Sequence, residues 1–177
     1  ARRTGRGVGE FCVVCAGRCC TCLGWRAARW VGGYVVRRGG DTEVLRAGWL
    51  GWGERMVEHL RGMFTVALWD ARRQTLFAAR DHLGVKPLHY TWDGRTLVFG
   101  SELKAVLAHP GVRADIDPGA LKLYLECQFI PAPHSVYAQV RKLPPAHTMK
   151  LERGHLVIAR YWSPNYRNKL EIGRATD

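Results

Sequence analysis

From residue 60 to residue 90 the chain reads as apolar runs of strand length separated by polar turns. Residues 63–69 and 75–79 are the first two runs, joined through Asp70, Arg72 and Arg73. The second run ends in Arg80-Asp81. His82-Leu83-Gly84-Val85-Lys86-Pro87 follows as a bend punctuated by Gly and Pro, and Leu88-His89-Tyr90 starts a further strand. An oppositely charged pair beside such a bend is expected to lock it as a structural ion pair; a catalytic role for Arg80-Asp81 is the alternative.

The pattern extends in both directions. Residues 11–15 (FCVVC) and 33–37 (GYVVR) read as short strands. From Asp41, Val44, Leu45, Trp49, Trp52, Met56 and Leu60 recur at roughly helical spacing. Asp41 is the N-cap of that helix, and Glu43 sits in the first turn, where the helix dipole favours an acid. Residues 88–92 and 96–100 predict a hairpin across Asp93-Gly94. Ser101 is expected to cap a short helix with Leu103, Val106 and Leu107 on one face, ending near His109-Pro110. Asp117-Pro118 pairs an N-cap with proline at the first helical position. The helix it opens carries Leu121, Leu123, Tyr124 and Leu125, and Cys127 is expected there as a buried small apolar side chain. Ile130-Pro131-Ala132-Pro133 reads as an extended linker, Lys142-Leu143-Pro144-Pro145 as a second breaker. Residues 147–151 and 155–161 make a last hairpin across Arg153-Gly154, and 161–177 is an exit segment. This order predicts an α+β fold of antiparallel sheets covered by helices. There is no G-x-x-x-x-G-K-[ST] loop, so a complete nucleotide site is not expected.

Composition narrows the class. A length of 177 residues suits one domain, or one domain with a stub of another, and 47% hydrophobic residues suffice for a core. No run approaches the ~18 apolar residues of a membrane span. The basic N-terminus lacks the apolar region of a secretion signal, and the missing initiator Met suggests a fragment. The net charge of +12 is uneven: residues 1–40 hold eight Arg against Glu10, a balance of +7, and residues 41–177 hold 19 basic and 14 acidic residues, +5. A nucleic-acid-binding arm is one reading. The arginines neither form a block nor interleave with aromatics, which favours a coding bias instead. Five of the six cysteines, Cys12, Cys15, Cys19, Cys20 and Cys22, fall in eleven residues. Cys12-x-x-Cys15 is at most half of a metal site, because no second such pair follows at the required spacing and the nearest histidine is His59. His82, His89, His109, His134, His147 and His155 are scattered and read as surface or loop residues. No metal is expected.

Several blocks then line up. Arg61-Gly62-Met63-Phe64, Ala67-Leu68-Trp69-Asp70, Arg80-Asp81 with Gly84 and Lys86-Pro87-Leu88, Gly100-Ser101-Glu102-Leu103-Lys104-Ala105, and Lys142-Leu143-Pro144-Pro145-Ala146-His147 occur in one order. Together they closely resemble the glutamine-hydrolysing asparagine synthetases, within their class II glutamine amidotransferase domain. The resemblance runs from about Gly33 to Trp162, with weaker traces up to Glu10. It implies an N-terminal-nucleophile-hydrolase-like sandwich of antiparallel sheets with covering helices, here incomplete. It also implies an enzyme whose N-terminal Cys attacks the glutamine amide to form a thioester, with the α-amino group as base. The ammonia released would pass to an ATP-pyrophosphatase domain, where aspartate activated by ATP with magnesium becomes asparagine.

Carried over residue by residue, the resemblance gives a short list. Asp41, in Gly40-Asp41-Thr42-Glu43-Val44, matches the acid that receives the α-amino group of glutamine, a role a fixed carboxylate suits; capping is compatible with it. Gly17 matches the centre of an Asn-Gly-Glu triplet whose Asn donates to the oxyanion and whose Glu helps hold glutamine. Ala16 and Arg18 stand in those places. Alanine has no donor, and losing one oxyanion donor costs about a hundredfold or more in rate; Arg18 reverses a charge. Cys15, Cys20 and Cys22 replace expected aromatics, and Trp25 and Arg29 replace expected leucines. Each change is one base towards G, so the cysteine cluster is read as a decayed or misread gene segment. An arginine at an apolar position is costly to bury, and residues 1–32 are expected to be degenerate and poorly ordered.

The expected organisation is a partial amidotransferase domain over 1–161, then a linker and the start of the synthetase domain over 162–177. The nucleophilic Cys and the Arg loop that grips glutamine are expected upstream of residue 1, and the ATP loop beyond Asp177. No catalytic residue is therefore expected in this chain, which alone should be inactive; Asp41 and Gly17 are the glutamine-binding candidates. ATP and magnesium are implied for the full-length family, with none bound by this chain. The implied partners are glutamine, aspartate and ATP, without nucleic acid or membrane; a homodimer is allowed, and the location is cytoplasmic. The alternatives are a related amidotransferase with another acceptor and a non-catalytic module that keeps the scaffold. Ser101-Glu102 is left between a role near the ammonia route and simple capping.

Overall fold

The computed structural model describes residues 11–19, 30–31, 34–35 and 41–166. In chain order its elements are β1 (Phe11–Cys19), β2 (Trp30–Val31), β3 (Tyr34–Val35), α1 (Asp41–Trp52), a 3-10 helix (Gly53–His59), β4 (Gly62–Asp70), β5 (Thr75–Arg80), β6 (His89–Trp92), β7 (Leu97–Gly100), α2 (Leu103–Leu107), α3 (Pro118–Cys127), β8 (Arg141–Lys142), β9 (His147–Glu152) and β10 (His155–Arg160). Every strand pairing is antiparallel: a five-stranded sheet in the order β1-β4-β5-β9-β10, a three-stranded sheet β7-β6-β8, and the pair β2-β3.

Alternation along β4 and β5 sets the layers, because successive strand residues point to opposite faces. Phe64, Val66 and Leu68 of β4 join Phe77 and Ala79 of β5 in one core, closed by Val44, Leu45 and Trp49 of α1 and by Met56, Val57 and Leu60. The intervening Ala67 and Ala78 are directly paired and face the other way. Their small side chains let the second sheet approach, so Leu88, Tyr90, Leu143 and Met149 fill a second core there. Both faces of the central strands are therefore buried, and the runs read as almost continuously apolar. At the far end of β4, the Asp70 carboxylate accepts from the Trp49 indole (3.0 Å) and from the Arg72 and Arg73 amides (3.0 and 3.1 Å). Burial pushes this carboxyl up; those three donors, with the Arg73 charge, outweigh it and hold it below its usual value.

Several expectations need correction. The 11–15 run continues to Cys19 and pairs with β4 along its whole length, so residues 11–19 form one sheet strand. Of the 33–37 run only Tyr34–Val35 lies among the described residues, as does only part of 1–32, and the proposed basic arm is largely outside them. The helix from Asp41 stops at Trp52, because Gly53 adopts a positive φ of +59°; Met56 and Leu60 reach the core from the 3-10 turn and the residue after it. Ser101 does not cap α2. Glu102 occupies the N-cap position without a side-chain cap bond, its carboxylate paired with Lys104 at 2.7 Å. His89 is buried, because β6 is the central strand between β7 and β8. Cys127 is exposed, because α3 buries only Ala120. The N-cap of α3 is as expected: Asp117 accepts from the Gly119 amide at 2.9 Å.

Candidate functional site

The bend after β5 is a closed hydrogen-bond knot. The Asp81 carboxylate accepts from the backbone amides of Leu83 (3.2 Å), Val85 (3.0 Å) and Lys86 (2.9 Å). The Arg80 guanidinium donates to three backbone carbonyls, those of Lys86 (2.8 Å), Leu143 (2.6 Å) and Gly84 (2.6 Å). The two side chains thus grip the main chain and do not form the direct ion pair expected from sequence. Burial lowers the Arg80 pKa, and the nearby Asp81 charge opposes that shift. Gly84 has φ +69°, and a Cβ there would lie 2.7 Å from Pro145 Cγ and 3.1 Å from the guanidinium. Only glycine fits.

The later motif blocks close on the same knot. The Ala146 amide donates to the Asp81 carbonyl at 2.9 Å, and the Leu143 amide to the Leu88 carbonyl at 2.8 Å. Tyr161 donates its hydroxyl to the Arg80 carbonyl (2.8 Å) and its amide to the Ala146 carbonyl (2.9 Å). Burial, then the Asp81 charge, push its phenol far above the ordinary tyrosine value. His82 stands edge-on to both Tyr161 and Trp162, with ring centroids at 5.4 and 4.9 Å. Burial, with Arg61 nearby, lowers its pKa against the pull of Asp81. Sequence reading missed that the separated blocks form one object. It also missed His89, for which the flanking Leu88 and Tyr90 were the available signal of a fully buried strand. Burial first, then Lys142 and Arg80, lower the His89 pKa, against a hydrogen bond with the Ser101 backbone.

The register ties this knot to the candidate triplet. Ala16 is opposite Thr65, and Thr65 is opposite Arg80. Gly17 is opposite Phe64, whose carbonyl accepts the Asp81 amide at 2.9 Å. Two strand spacings separate positions 16 and 17 from the knot, about 10 Å. Asp41 is the first residue of α1, which packs on β1, β2 and β3. The side chains of Ala16, Arg18 and Asp41 lie outside the described set, so the placement of these candidates is a backbone one. Cys12 and Cys15 both fall within the uninterrupted strand β1, whereas a Cys-x-x-Cys metal loop needs a turn between its thiols. Among the described residues no group of three or more His, Cys, Asp or Glu side chains is placed to hold a metal ion. Among those residues, too, no helix is long and apolar enough to cross a membrane.

Antiparallel sheets stacked through Ala67 and Ala78, with helix α1 on the outer face, define an α+β scaffold of the N-terminal-nucleophile amidotransferase type. The same scaffold occurs in the glutamine phosphoribosylpyrophosphate amidotransferase of B. subtilis, with a TM-score of 0.57 at 14% identity over 90% of this chain and 31% of that one. The chain belongs to the glutamine amidotransferase domain family, whose sequence profile matches residues 8–162. It is 41% identical over 132 residues to asparagine synthetase [glutamine-hydrolyzing] 3 of Bacillus subtilis, covering 74% of this chain and 22% of that protein. It is 34% identical over 134 residues to a putative asparagine synthetase [glutamine-hydrolyzing] 2 of Methanocaldococcus jannaschii, covering 73% of this chain and 26% of that protein. The chain thus spans about a quarter or less of the length of the second and first of these relatives, respectively.

Proposed function

We propose that this chain is the glutamine-handling part of a glutamine-dependent asparagine synthetase, an ATP-dependent ligase that uses ammonia from glutamine to amidate aspartate. The observation that supports the reading is the similarity to curated relatives that carry that name, in a chain whose register sets Gly17 two strand spacings from the Asp81 knot. On this reading Gly17 lies at the glutamine amide and Asp41 receives the α-ammonium. Residues 1–161 form the amidotransferase domain, and 162–177 lead towards the synthetase domain. ATP, magnesium and aspartate act on residues outside this chain, in the cytoplasm.

Ala16 and Arg18 then decide activity. Position 16 offers no side-chain donor to an oxyanion, and position 18 places a cation where the resemblance implies a carboxylate that helps hold glutamine. The chain by itself therefore releases no glutamate from glutamine. The test is glutamine binding followed by calorimetry, with a glutaminase assay beside it. Ala16→Asn with Arg18→Glu should tighten glutamine binding at least tenfold, and Asp41→Asn should remove that gain. Unchanged binding in the double variant, or glutamate release by the unaltered chain, would overturn the assignment.

A further inference from the structure

The three-stranded sheet ends unevenly, and the gap is a polar cleft. β8 pairs with β6 only at His89↔Lys142 and Tyr90↔Arg141. The Leu143 amide donates to the Leu88 carbonyl. Alternate residues of an antiparallel strand turn their backbone groups to the same neighbour, so Leu88, Tyr90 and Trp92 all turn theirs to the β8 side. Trp92 lies past the end of β8, and among the described residues no strand pairs with it there. Its N–H and C=O open onto a cleft of about 380 Å³, lined also by Asp93, His109, Gln139 and Arg141. That volume falls in the range of small-molecule sites.

The polar groups of the cleft differ in kind. Asp93 is the only acid among its lining residues. Its Oδ1 accepts the Thr96 and Arg95 amides (2.7 and 2.8 Å), which hold the carboxyl below its usual pKa and leave Oδ2 for another donor. The other groups donate. His109 Nδ1 accepts the Gly111 amide at 3.1 Å, which puts the ring's donor on Nε2. Gln139 Oε1 accepts the Arg113 amide at 3.0 Å, which leaves its NH2 to donate. Arg141 adds an exposed guanidinium, and Val98 and Val112 give the cleft an apolar part. A plain anion would meet repulsion from Asp93, and a plain cation would meet Arg141. A small zwitterion satisfies both. We propose that this cleft binds a free α-amino acid with an apolar side chain, its ammonium on Asp93, its carboxylate on Arg141 and the Trp92 N–H, and its side chain on Val98 and Val112. The site lies on the three-stranded sheet, whereas Gly17 and Asp41 lie on β1 and α1. This inference does not depend on the glutamine reading.

The test is titration of L-leucine into the 177-residue chain, followed by calorimetry and by the NMR shifts of the Trp92 and Gln139 amides. A dissociation constant of a few millimolar is expected, because both charges face water. 4-Methylpentanoate and 3-methylbutylamine each lack one of leucine's charges and should bind about three- to tenfold more weakly. Arg141→Gln should weaken leucine by a similar factor. Asp93→Asn should weaken leucine and tighten 4-methylpentanoate, since it removes an attraction from one and a repulsion from the other. Asparagine keeps an oxygen for the two turn amides, and loss of folding cannot produce opposite effects on two ligands. Asp41→Asn should leave leucine binding unchanged. The proposal is overturned by the absence of saturable shifts up to about 50 mM, by equal binding of leucine and 4-methylpentanoate, or by an Asp93→Asn effect of the same sign on both. Loss of leucine binding in Asp41→Asn would overturn it too, by moving the probe to the glutamine candidates.

Discussion

Asp81→Asn tests whether the knot holds the fold. Asp81 is 1% exposed. One carboxylate oxygen accepts the Leu83 and Val85 amides, and the other accepts Lys86. Asparagine keeps the shape but has one acceptor oxygen. If that oxygen stays on Leu83 and Val85, the new NH2 faces the Lys86 N–H, donor against donor. An unsatisfied donor costs about 1–3 kcal/mol, and two bonds falling from charge-assisted to neutral cost about 0.5–1 kcal/mol each. The expected loss is about 2–5 kcal/mol. Asp81→Ala removes both acceptor oxygens and with them all three bonds, and should cost about 3–6 kcal/mol. Urea unfolding measures both, as a lower midpoint at unchanged slope; the Asn variant should melt roughly 4–20 °C lower for a domain of this size. Hydrogen exchange should accelerate first at residues 83, 85 and 86. If Asp81→Asn changes stability by less than about 0.5 kcal/mol, within the range of surface substitutions, the three amides are not what fixes the bend and the reasoning fails.

Three further outcomes follow from the same geometry. Gly84→Ala should destabilise by about 2 kcal/mol or more, since it combines a positive φ with a 2.7 Å approach to Pro145; a neutral melting curve would contradict this. His89 has no partner for Nδ1 among the described residues, and its folded pKa lies below the ordinary value of 6.5. The unfolded chain therefore takes up the proton first, so stability is complete above about pH 6.5 and falls as pH drops through the folded pKa. His82 has the same sign, so the check is that His89→Phe flattens the stability–pH curve below about 6.5 relative to the parent chain. Trp49→Phe removes the indole donor to Asp70 and should cost about 1.5–3 kcal/mol at neutral pH. Because the Asp70 pKa is depressed, its contribution exists above about pH 4 and is lost in acid, so the difference between Trp49→Phe and the parent should shrink as pH falls below about 4. A pH-independent difference would show that packing against Phe77, 5.1 Å away, and not the hydrogen bond, sets the cost.

The sheet frame was legible because alternation and turn chemistry are local. The Asp70–Arg73 turn, the Asp93-Gly94 hairpin and the Arg153-Gly154 hairpin each announce themselves within a few residues. The knot was legible only as a set of motifs. Arg80 reaches Leu143, 63 residues away, and Tyr161 returns to Arg80 across 81 residues, and sequence gives no hint that backbone carbonyls, not Asp81, would be the guanidinium's partners. The fate of Cys127 was illegible for a different reason. Helical periodicity locates an apolar face but does not say what covers it.

On the function proposed above, the placement of positions 16–18 lets the scaffold outlast the chemistry it serves. Among the described residues β1 is an edge strand, joined to β4 by backbone hydrogen bonds over nine residue pairs. Such a ladder is indifferent to what side chain stands at positions 16 and 18, so Ala16 and Arg18 leave the strand in register. The knot is equally indifferent to them. Asp81 takes backbone amides, Arg80 takes backbone carbonyls, and the link to Gly17 runs through the Phe64 carbonyl. Its specific demands fall on Gly84 and on its own two charged side chains. Restoring Asn and Glu at 16 and 18 should therefore change glutamine binding with little change in the melting temperature, whereas Asp81→Asn should do the reverse to stability wherever binding can still be measured. If the two perturbations moved both quantities together, the separation of frame from site argued from the register would be wrong.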